Sequence, residues 1–299
     1  MQKEVTDFIS FLRHEKRFSV HTVIAYETDL RQFSLFLQED YQLDDALLAN
    51  HTIIRSWIVK LMESGLDPRS VNRKVTALRT FYRYMVKSSR MDRSPMLKVI
   101  APKTRKKLPE YVDEKKMQTL LELKIEEGSA FIQFRDFLIL DFFYRTGVRL
   151  SEMIGLKVED VNLPNLTVRV LGKRNKIRQI PITMAFRKTI ESYLSERKSF
   201  MESQNTNHPF FFVDNNGNQM YPAFVYRIVR REISHISTGR KRSPHVLRHS
   251  FATAMLNNGA DINAIKEILG HSSLAATQVY THNSAEKLKQ VYKQAFPKA

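Results

Sequence analysis

The sequence contains no cysteine, which excludes disulfide bonds and thiolate metal sites. It also has no run of about 18 apolar residues, the length that a helix needs to cross a bilayer. Residues 1–6 lead directly into an amphipathic helix, so the start of the chain does not have the pattern of a signal peptide. No histidine is paired with aspartate or glutamate at a spacing typical of metal ligands. We therefore expect a cytoplasmic protein with no membrane attachment and no bound metal.

Acidic residues are too few to balance the basic ones. The chain has 48 lysines and arginines against 31 aspartates and glutamates, which gives a formal net charge of +17. Such an excess favours a polyanionic partner. Charge alone does not separate DNA from RNA or an anionic membrane, so the choice depends on the motifs.

A basic, proline-interrupted stretch divides the 299 residues into two predicted domains. From Pro95 to Pro109 it carries three prolines and five basic residues: Pro95, Lys98, Pro102, Lys103, Arg105, Lys106, Lys107 and Pro109. Prolines at this spacing resist a single helix. We predict an N-terminal domain at residues 1–90, a basic linker at 91–109 and a second domain at 110–299.

The first domain has the pattern of an all-α helical bundle. After Ser19, a suitable helix N-cap, apolar residues recur every three or four positions. Further helices are predicted from Ile53 to Gly65 and from Asp67 onward. One face of the last helix is basic, with Arg69, Arg73, Lys74, Arg79 and Arg83. A solvated surface is the commoner meaning of such a face, and contact with DNA phosphates is the alternative.

The second domain is predicted to be mixed α+β with a small antiparallel sheet. Helical patterns cover residues 113–123 and 130–144, and residues 210–213 with the turn that follows suggest a short strand. Residues 166–171 and 177–182 alternate or are rich in β-branched residues, and the segment between them is typical of a turn. We therefore expect a β-hairpin with a basic tip.

Several residues of the second domain suit chemistry on a phosphodiester. Ser243 and Pro244 predict a helix start, which would place His245, Arg248 and His249 together near a helix N-terminus that favours anions. Arg149 follows a Thr-Gly turn and opens a short helix. The next helix in sequence is predicted to start at Asp261 and to stop at Gly270, directly before His271.

These residue types match the needs of phosphodiester cleavage by a tyrosine. Arginine forks fit the charge on the attacked phosphate. A tyrosine hydroxyl such as that of Tyr280, with an ordinary pKa of about 10, needs cations and a proton acceptor beside it, and histidine supplies the acceptor. A lysine in the hairpin turn could protonate the leaving 5′ oxygen. Lys173 is the candidate, Lys176 and Arg178 compete with it, and the alternative is that all three contact DNA phosphates.

Five segments together resemble the signature boxes of the tyrosine recombinases. They are Thr146–Glu152, Gly172-Lys173, His245–His249, Leu269–His271 and Val279–His282, which stand in the family's order and spacing. The resemblance extends over nearly the whole chain and points to the Xer group. It implies a helical core-binding domain followed by the tyrosine-recombinase catalytic domain.

The resemblance also implies roles for the site residues. Arg149 and Arg248 would clamp the scissile phosphate, and Tyr280 would be the nucleophile. Glu152 and His249 would support the site. It also favours contact with DNA for the basic face of the first domain. For the linker residues Lys103, Arg105, Lys106 and Lys107, and for Lys176 and Arg178 of the hairpin, contact with DNA is predicted from their charge.

Proton transfer is assigned by the same resemblance. Lys173 would be the general acid, and His245 and His271 would assist. The chain departs from many relatives directly after Lys173, where they have glycine and this chain has Arg174 followed by Asn175. Asparagine tolerates left-handed backbone geometry, so a tight turn is still expected.

The implied activity is site-specific DNA recombination through a 3′-phosphotyrosyl intermediate, with no cofactor. The partners would be double-stranded target sites, other recombinase subunits in a homo- or heterotetramer, and a DNA translocase as activator. Residues 284–299 carry an apolar stripe: Leu288, Val291, Tyr292 and Phe296. This tail either folds back on its own domain or docks on the next subunit of a ring.

The residue pattern also leaves alternatives to this activity and to its biological role. Within the Xer group the role would be resolution of chromosome or plasmid dimers at the nucleoid. A mobile-element integrase or invertase is the main alternative. A type IB topoisomerase and a catalytically silent DNA-binding protein fit less well, the first because of the tail and the small helical domain, the second because of the complete residue set.

Overall fold

The chain forms two compact units, residues 1–107 and 108–299, and each is described by itself. The computed structural model describes residues 2–104, 111–122, 131–172, 176–236, 242–270 and 291–292. Within these ranges, no helix is both long and apolar enough to span a membrane.

Four helices build the first unit: α1 (Gln2–Ser10), α2 (Val20–Tyr41), α3 (His51–Glu63) and α4 (Pro68–Lys87). The predicted cap at Ser19 and the predicted helix start at Asp67 are confirmed. Ser19 Oγ accepts a hydrogen bond from Thr22 N at the start of α2, and Asp67 Oδ1 accepts one from Arg69 N, 2.8 Å away, at the start of α4. These side chains satisfy backbone N–H groups that have no partner within the helix.

The first part of the predicted linker belongs to this helical unit. Met96 and Val99 are buried in the same core as Phe33, Trp57 and Leu78. Three side chains of the bundle donate hydrogen bonds to backbone carbonyls of this linker segment: Arg55 to Lys98 O, Arg79 to Val99 O and Asn72 to Pro102 O. The unit therefore continues past residue 90, where its end was predicted, because this segment contributes apolar side chains to its core.

The basic face of α4 is smaller than predicted. Arg69, Arg73 and Arg83 are exposed, and Arg79 is half-buried. Lys74 is buried, and its ammonium donates to Asp29 Oδ1 at 2.9 Å and to Gln32. The prediction that Lys74 faces DNA is wrong, because it stands three residues after one buried side chain and four before another and so points into the bundle.

The second unit contains seven helices and a three-stranded sheet among its described residues. The helices are α5 (Glu114–Glu122), α6 (Phe131–Thr146), α7 (Leu150–Ile154), α8 (Met184–Ser203), α9 (Pro222–Ser234), α10 (Pro244–Asn257) and α11 (Ile262–Leu269). The strands are β1 (Val161–Asn162), β2 (Thr167–Leu171) and β3 (Ile177–Pro181), antiparallel in the order β1-β2-β3. The predicted fold class is confirmed.

The predicted hairpin is formed by β2 and β3. Val170 pairs with Arg178 and Leu171 with Ile177, and Gly172 N donates to Lys176 O at 2.8 Å at the base of the turn. Residues 210–213 do not form the strand that was predicted. Among the described residues they contribute only single bridges, Lys157 with Phe210 and Val213 with Gln219.

Helix α6 lies at the centre of the second unit and is buried along nearly its whole length. It packs against α8, α9 and α10. A buried arginine on this helix, Arg135, is paired with Asp136 through its Nε and Nη2. The core also includes Tyr292, whose hydroxyl donates to Arg145 O at 2.8 Å.

Candidate active site

The turn that presents Arg149 is fixed by a glycine. Gly147 has a φ of +59°, a left-handed conformation that favours glycine. A Cβ at this position would lie 2.4 Å from a ring carbon of Phe251 and 2.9 Å from a methyl carbon of Leu269. The turn after α6 can therefore approach α10 and α11 closely only because residue 147 has no side chain.

Glu152 holds Arg149 at the start of α7. One carboxylate oxygen accepts from Arg149 N at 2.8 Å, and the other accepts from its Nη1 at 2.7 Å. The backbone contact satisfies a free N–H at a helix N-terminus, where a negative charge is also favoured. Arg149 remains partly exposed, and the direction of its guanidinium is set by a buried carboxylate.

Arg178 binds the same carboxylate from the sheet. Its Nη1 and Nη2 donate to the two oxygens of Glu152 at 2.9 and 2.8 Å, and its Nε donates to Ile268 O at 2.6 Å. Burial alone raises the pKa of Glu152, but the hydrogen bonds from Arg178 and Arg149 outweigh it and lower the pKa to about 2. Glu152 therefore stays ionised at neutral pH.

The predictions for Arg178 as a DNA contact or as a competing general acid are wrong. Its side chain is buried and its nitrogens donate to protein oxygens. Its structural role was not predicted, although the sequence carries a signal for it. Arg178 stands two residues before the core residue Ile180 on β3, so strand alternation places both on the inner face.

Helix α10 supplies the second arginine. Ser243 is its N-cap residue and Pro244 its first residue, as predicted, although Ser243 makes no side-chain capping hydrogen bond. Arg248 Nη1 donates to Gly147 O and Nη2 to Leu269 O, the latter at 2.7 Å. Burial and the positive charge of Arg149 lower the pKa of Arg248 to about 10, so it remains protonated at neutral pH.

The two arginines are brought together at the C-terminal end of α11. Arg248 donates to Leu269 O, and Arg149 Nη2 donates to the next carbonyl, Gly270 O, at 3.0 Å. Asp261 caps the start of α11 and Gly270 ends it in the left-handed conformation, both as predicted. A guanidinium has five N–H donors, and the described contacts use two on each arginine. The pair is therefore suited to bind one phosphate.

The two histidines of α10 occupy different surroundings. His245 is exposed in the first turn of the helix, one turn before Arg248. His249 is half-buried, and its ring makes an edge contact with Tyr111, with 6.3 Å between the ring centres. The next residue, Ser250, accepts a hydrogen bond from Val112 N at 2.8 Å. His249 therefore lies against the segment that opens this unit.

Several predicted residues lie outside the described ranges. They are Lys173, His271 and Tyr280 of the catalytic set, Arg105, Lys106 and Lys107 of the linker, and Leu288 and Phe296 of the tail. Lys103 and Lys176 are described and exposed. Across the described part of the chain, no group of three or more histidine, aspartate or glutamate side chains is arranged to hold a metal ion.

Both units match domains of one protein family. Residues 110–287 match the phage integrase family, and residues 5–89 match its N-terminal SAM-like domain. The chain is 36% identical over 294 residues to tyrosine recombinase XerC of Pediococcus pentosaceus, covering 98% of this chain and 97% of the relative. It is 32% identical over 299 residues to tyrosine recombinase XerD of Listeria innocua, covering all of both chains.

Solved structures share the fold. The XerH recombinase bound to its difH substrate in a pre-cleavage complex is 22% identical, with a TM-score of 0.68 that covers 96% of this chain and 83% of that one. The Tn1549 transposon integrase with a circular intermediate DNA is 17% identical, with a TM-score of 0.70 over 96% and 98%. The full-length similarity to XerC and XerD proteins supports site-specific recombination of the Xer type. The chain belongs to the phage integrase family and is a tyrosine recombinase.

Proposed function

We propose that Arg149 and Arg248 bind the scissile phosphate of a duplex DNA site and that Tyr280 attacks it. The observation that carries this proposal is the pair of guanidiniums at adjacent carbonyls of one helix end, each with further N–H donors for a ligand. Their charge is matched to the extra negative charge that develops on the non-bridging oxygens when the phosphorus becomes five-coordinate.

The reaction exchanges one phosphodiester for another. The Tyr280 oxygen forms a bond to phosphorus as the bond to the 5′ oxygen breaks. The tyrosine proton passes to a histidine, for which His245 and His271 are the candidates, and Lys173 donates a proton to the leaving 5′ oxygen. Attack by a 5′ hydroxyl on the phosphotyrosine reverses these steps. The bond energy is kept in the protein-DNA link, so no nucleotide cofactor is required.

The DNA contacts are proposed to come from the exposed basic residues of both units. In the helical unit these are Arg69, Arg73, Arg83 and Lys103, and in the catalytic unit Lys176. The linker residues Arg105, Lys106 and Lys107 are proposed to add to this surface, and the boundary between the two units falls directly after them. Arginines and lysines that neutralise backbone phosphates supply affinity without reading sequence.

We propose that four subunits act on two sites. The role would be resolution of chromosome or plasmid dimers at the nucleoid, in the cytoplasm, with a DNA translocase as activator. The tail from about residue 284 is the proposed link between subunits. Tyr292 is packed in the core of its own unit, so the intersubunit contact would have to use other parts of this tail.

The nucleophile is tested with a nicked suicide substrate. The unaltered chain should form a denaturation-resistant adduct with DNA, and Tyr280→Phe should form none while keeping its DNA affinity. Tyr292→Phe is the matched control. Burial raises the pKa of Tyr292 above its usual range, and its hydroxyl donates a hydrogen bond to Arg145 O. An adduct formed by Tyr280→Phe would show that another residue is the nucleophile.

Relaxation of supercoils by single subunits would instead indicate a topoisomerase.

A further inference from the structure

We infer that Arg178 is a positioning residue that ties together the three segments leading to Arg149, Lys173 and His271. The inference rests on the proposed function, since it concerns how the phosphate-binding arginines and the proton-transfer residues are held. Arg178 would act through its protein contacts and would not touch DNA itself.

The burial and contacts of Arg178 support a structural position. Both outer nitrogens bind Glu152 in a two-pronged pair, and the inner nitrogen binds Ile268 O. A buried guanidinium is tolerated only when its charge and its hydrogen bonds are satisfied, and these contacts meet that need. Because Arg178 is buried and its charge is paired with Glu152, it is not available to a phosphate.

The first segment held by Arg178 is the turn that carries Arg149. Glu152 accepts four hydrogen bonds, two from Arg178 and two from Arg149. The position of the carboxylate is therefore set jointly by β3 and by the start of α7. Because Arg149 donates to that carboxylate, any rotation of Glu152 would move the phosphate-binding guanidinium.

The second segment is the end of α11. Three consecutive carbonyls accept from three arginines: Ile268 O from Arg178, Leu269 O from Arg248 and Gly270 O from Arg149. A Cβ at residue 270 would lie 3.2 Å from Arg178 Cδ, so the side chain also packs against the glycine that ends the helix. The next residue in the chain is His271. Fixing the last turn of α11 fixes the point from which His271 continues.

The third segment is the base of the hairpin. Gly172 is so close to the ion pair that a Cβ there would lie 3.4 Å from Arg178 Nη1 and 3.5 Å from Glu152 Oε1. The following residue is Lys173. Arg178 is thus adjacent to a segment leading to each of three candidate catalytic residues. Only a planar fork with donors in fixed directions can bind a carboxylate with two nitrogens and a carbonyl with the third.

The experiment compares Arg178→Met and Arg178→Lys with Arg135→Met. Arg135 is the matched control, because it is also a buried arginine paired with a carboxylate in the same unit and does not contact the site. DNA affinity and the rate of adduct formation at saturating DNA are measured on the full chain with the suicide substrate. Arg178→Met should lower the rate on the order of 10²-fold, the cost expected for a misplacement of about 1 Å, with little loss of affinity. The rate of adduct formation for Arg178→Lys should lie between those of Arg178→Met and the unaltered chain. Arg135→Met should cleave at the unaltered rate.

A double variant separates positioning from general destabilisation. If Arg178 acts through Glu152, then Arg178→Met combined with Glu152→Gln should lose little more rate than either change alone. The double variant and Arg178→Lys also carry the comparison if Arg178→Met does not fold, because neither buries an unpaired charge on Glu152. Additive losses, or an equal loss in Arg135→Met, would overturn the inference. The absence of an adduct with the unaltered chain would instead contradict the proposed function.

Discussion

In each unit of the chain a buried carboxylate holds one buried cation and one partly exposed arginine. The helical unit uses Asp29 with Lys74 and Arg73, and the catalytic unit uses Glu152 with Arg178 and Arg149. The exposed fractions are similar: 6% for both buried cations, 45% for the arginine of the helical unit and 30% for that of the catalytic unit. The units differ in the chemistry of the buried cation.

This difference indicates that the carboxylate of the helical unit needs only a buried positive charge. The carboxylate of the catalytic unit needs a cation that also fixes its orientation. Lys74 is a point charge that neutralises Asp29 and also reaches Gln32, and an ammonium can rotate without losing these contacts. Arg178 binds both oxygens of its carboxylate and a backbone carbonyl, which fixes the plane of Glu152. We infer that a phosphate contact on a DNA surface tolerates the first arrangement, whereas a transition-state contact needs the second.

The largest loss of cleavage rate is expected for Arg248, whose guanidinium must be oriented toward the reacting phosphate. Arg248→Ala should lower the rate of adduct formation by roughly 10²–10³-fold, about 2.7–4 kcal/mol, by analogy with the loss of an oxyanion-hole donor. DNA affinity should change far less, because the loss falls on the transition state. The control is Arg187→Ala, which removes an arginine paired with Glu191 on α8. Equal cleavage rates in the two variants would show that Arg248 does not act on the reacting phosphate.

The next effect concerns acid stability. The folded pKa of Glu152 is about 2 and its ordinary value is 4.5, so its ionised form stabilises the fold above pH 4.5 and this contribution is lost as pH falls toward 2. This shift in the pKa of Glu152 corresponds to a contribution of about 3 kcal/mol to the free energy of unfolding above pH 4.5. Glu152→Gln should therefore remove part of the acid-side loss of stability in this range.

The stability of the catalytic unit at each pH is measured by circular dichroism and by hydrogen exchange of α7 and α11. The helical unit provides an internal control, because Trp57 is the only tryptophan of the chain and is buried in the helical core. Its fluorescence transition should be the same in both proteins. An unchanged acid profile of the catalytic unit in Glu152→Gln would show that the carboxylate is not held as described.

Sequence periodicity and capping residues predicted most of the fold. The caps at Ser19 and Asp261, the helix start at Asp67 and the stop at Gly270 were correct because each depends on a local hydrogen bond or backbone conformation. The end of the helical unit was placed too early, since Met96 joins its core through contacts distant in sequence. Local composition indicated a linker and contained no information about that packing.

The candidate site was predictable as a set of residues and only partly as a geometry. Motif order identified Arg149 and Arg248, but not the helix end on which they meet, because Arg149 lies 121 residues from Gly270 in the chain. Lys74 and Arg178 were assigned to DNA by their charge. Their positions in the helical and strand periods place both on buried faces, and this signal should have outweighed the charge.

The smallest expected effect distinguishes exposed from buried cations in the helical unit. If Arg83 neutralises a DNA phosphate, Arg83→Met should reduce the slope of log affinity against log salt by about 0.9. Lys74→Met should leave the slope unchanged, because Lys74 is buried and paired with Asp29. Fluorescence anisotropy over a salt series measures both. An equal reduction in slope for both variants would contradict the assignment of Lys74 to the interior.

One substitution made at equivalent places in the two units tests the central claim most directly. Arg149→Lys and Arg73→Lys each replace the partly exposed arginine held by a buried carboxylate and keep its charge. DNA affinity and the rate of adduct formation at saturating DNA are measured for both. Arg149→Lys should lower the rate on the order of 10²-fold with little change in affinity, and Arg73→Lys should leave the rate at saturation unchanged. Equal rates for the two variants would contradict the distinction between a site that fixes direction and a surface that supplies charge.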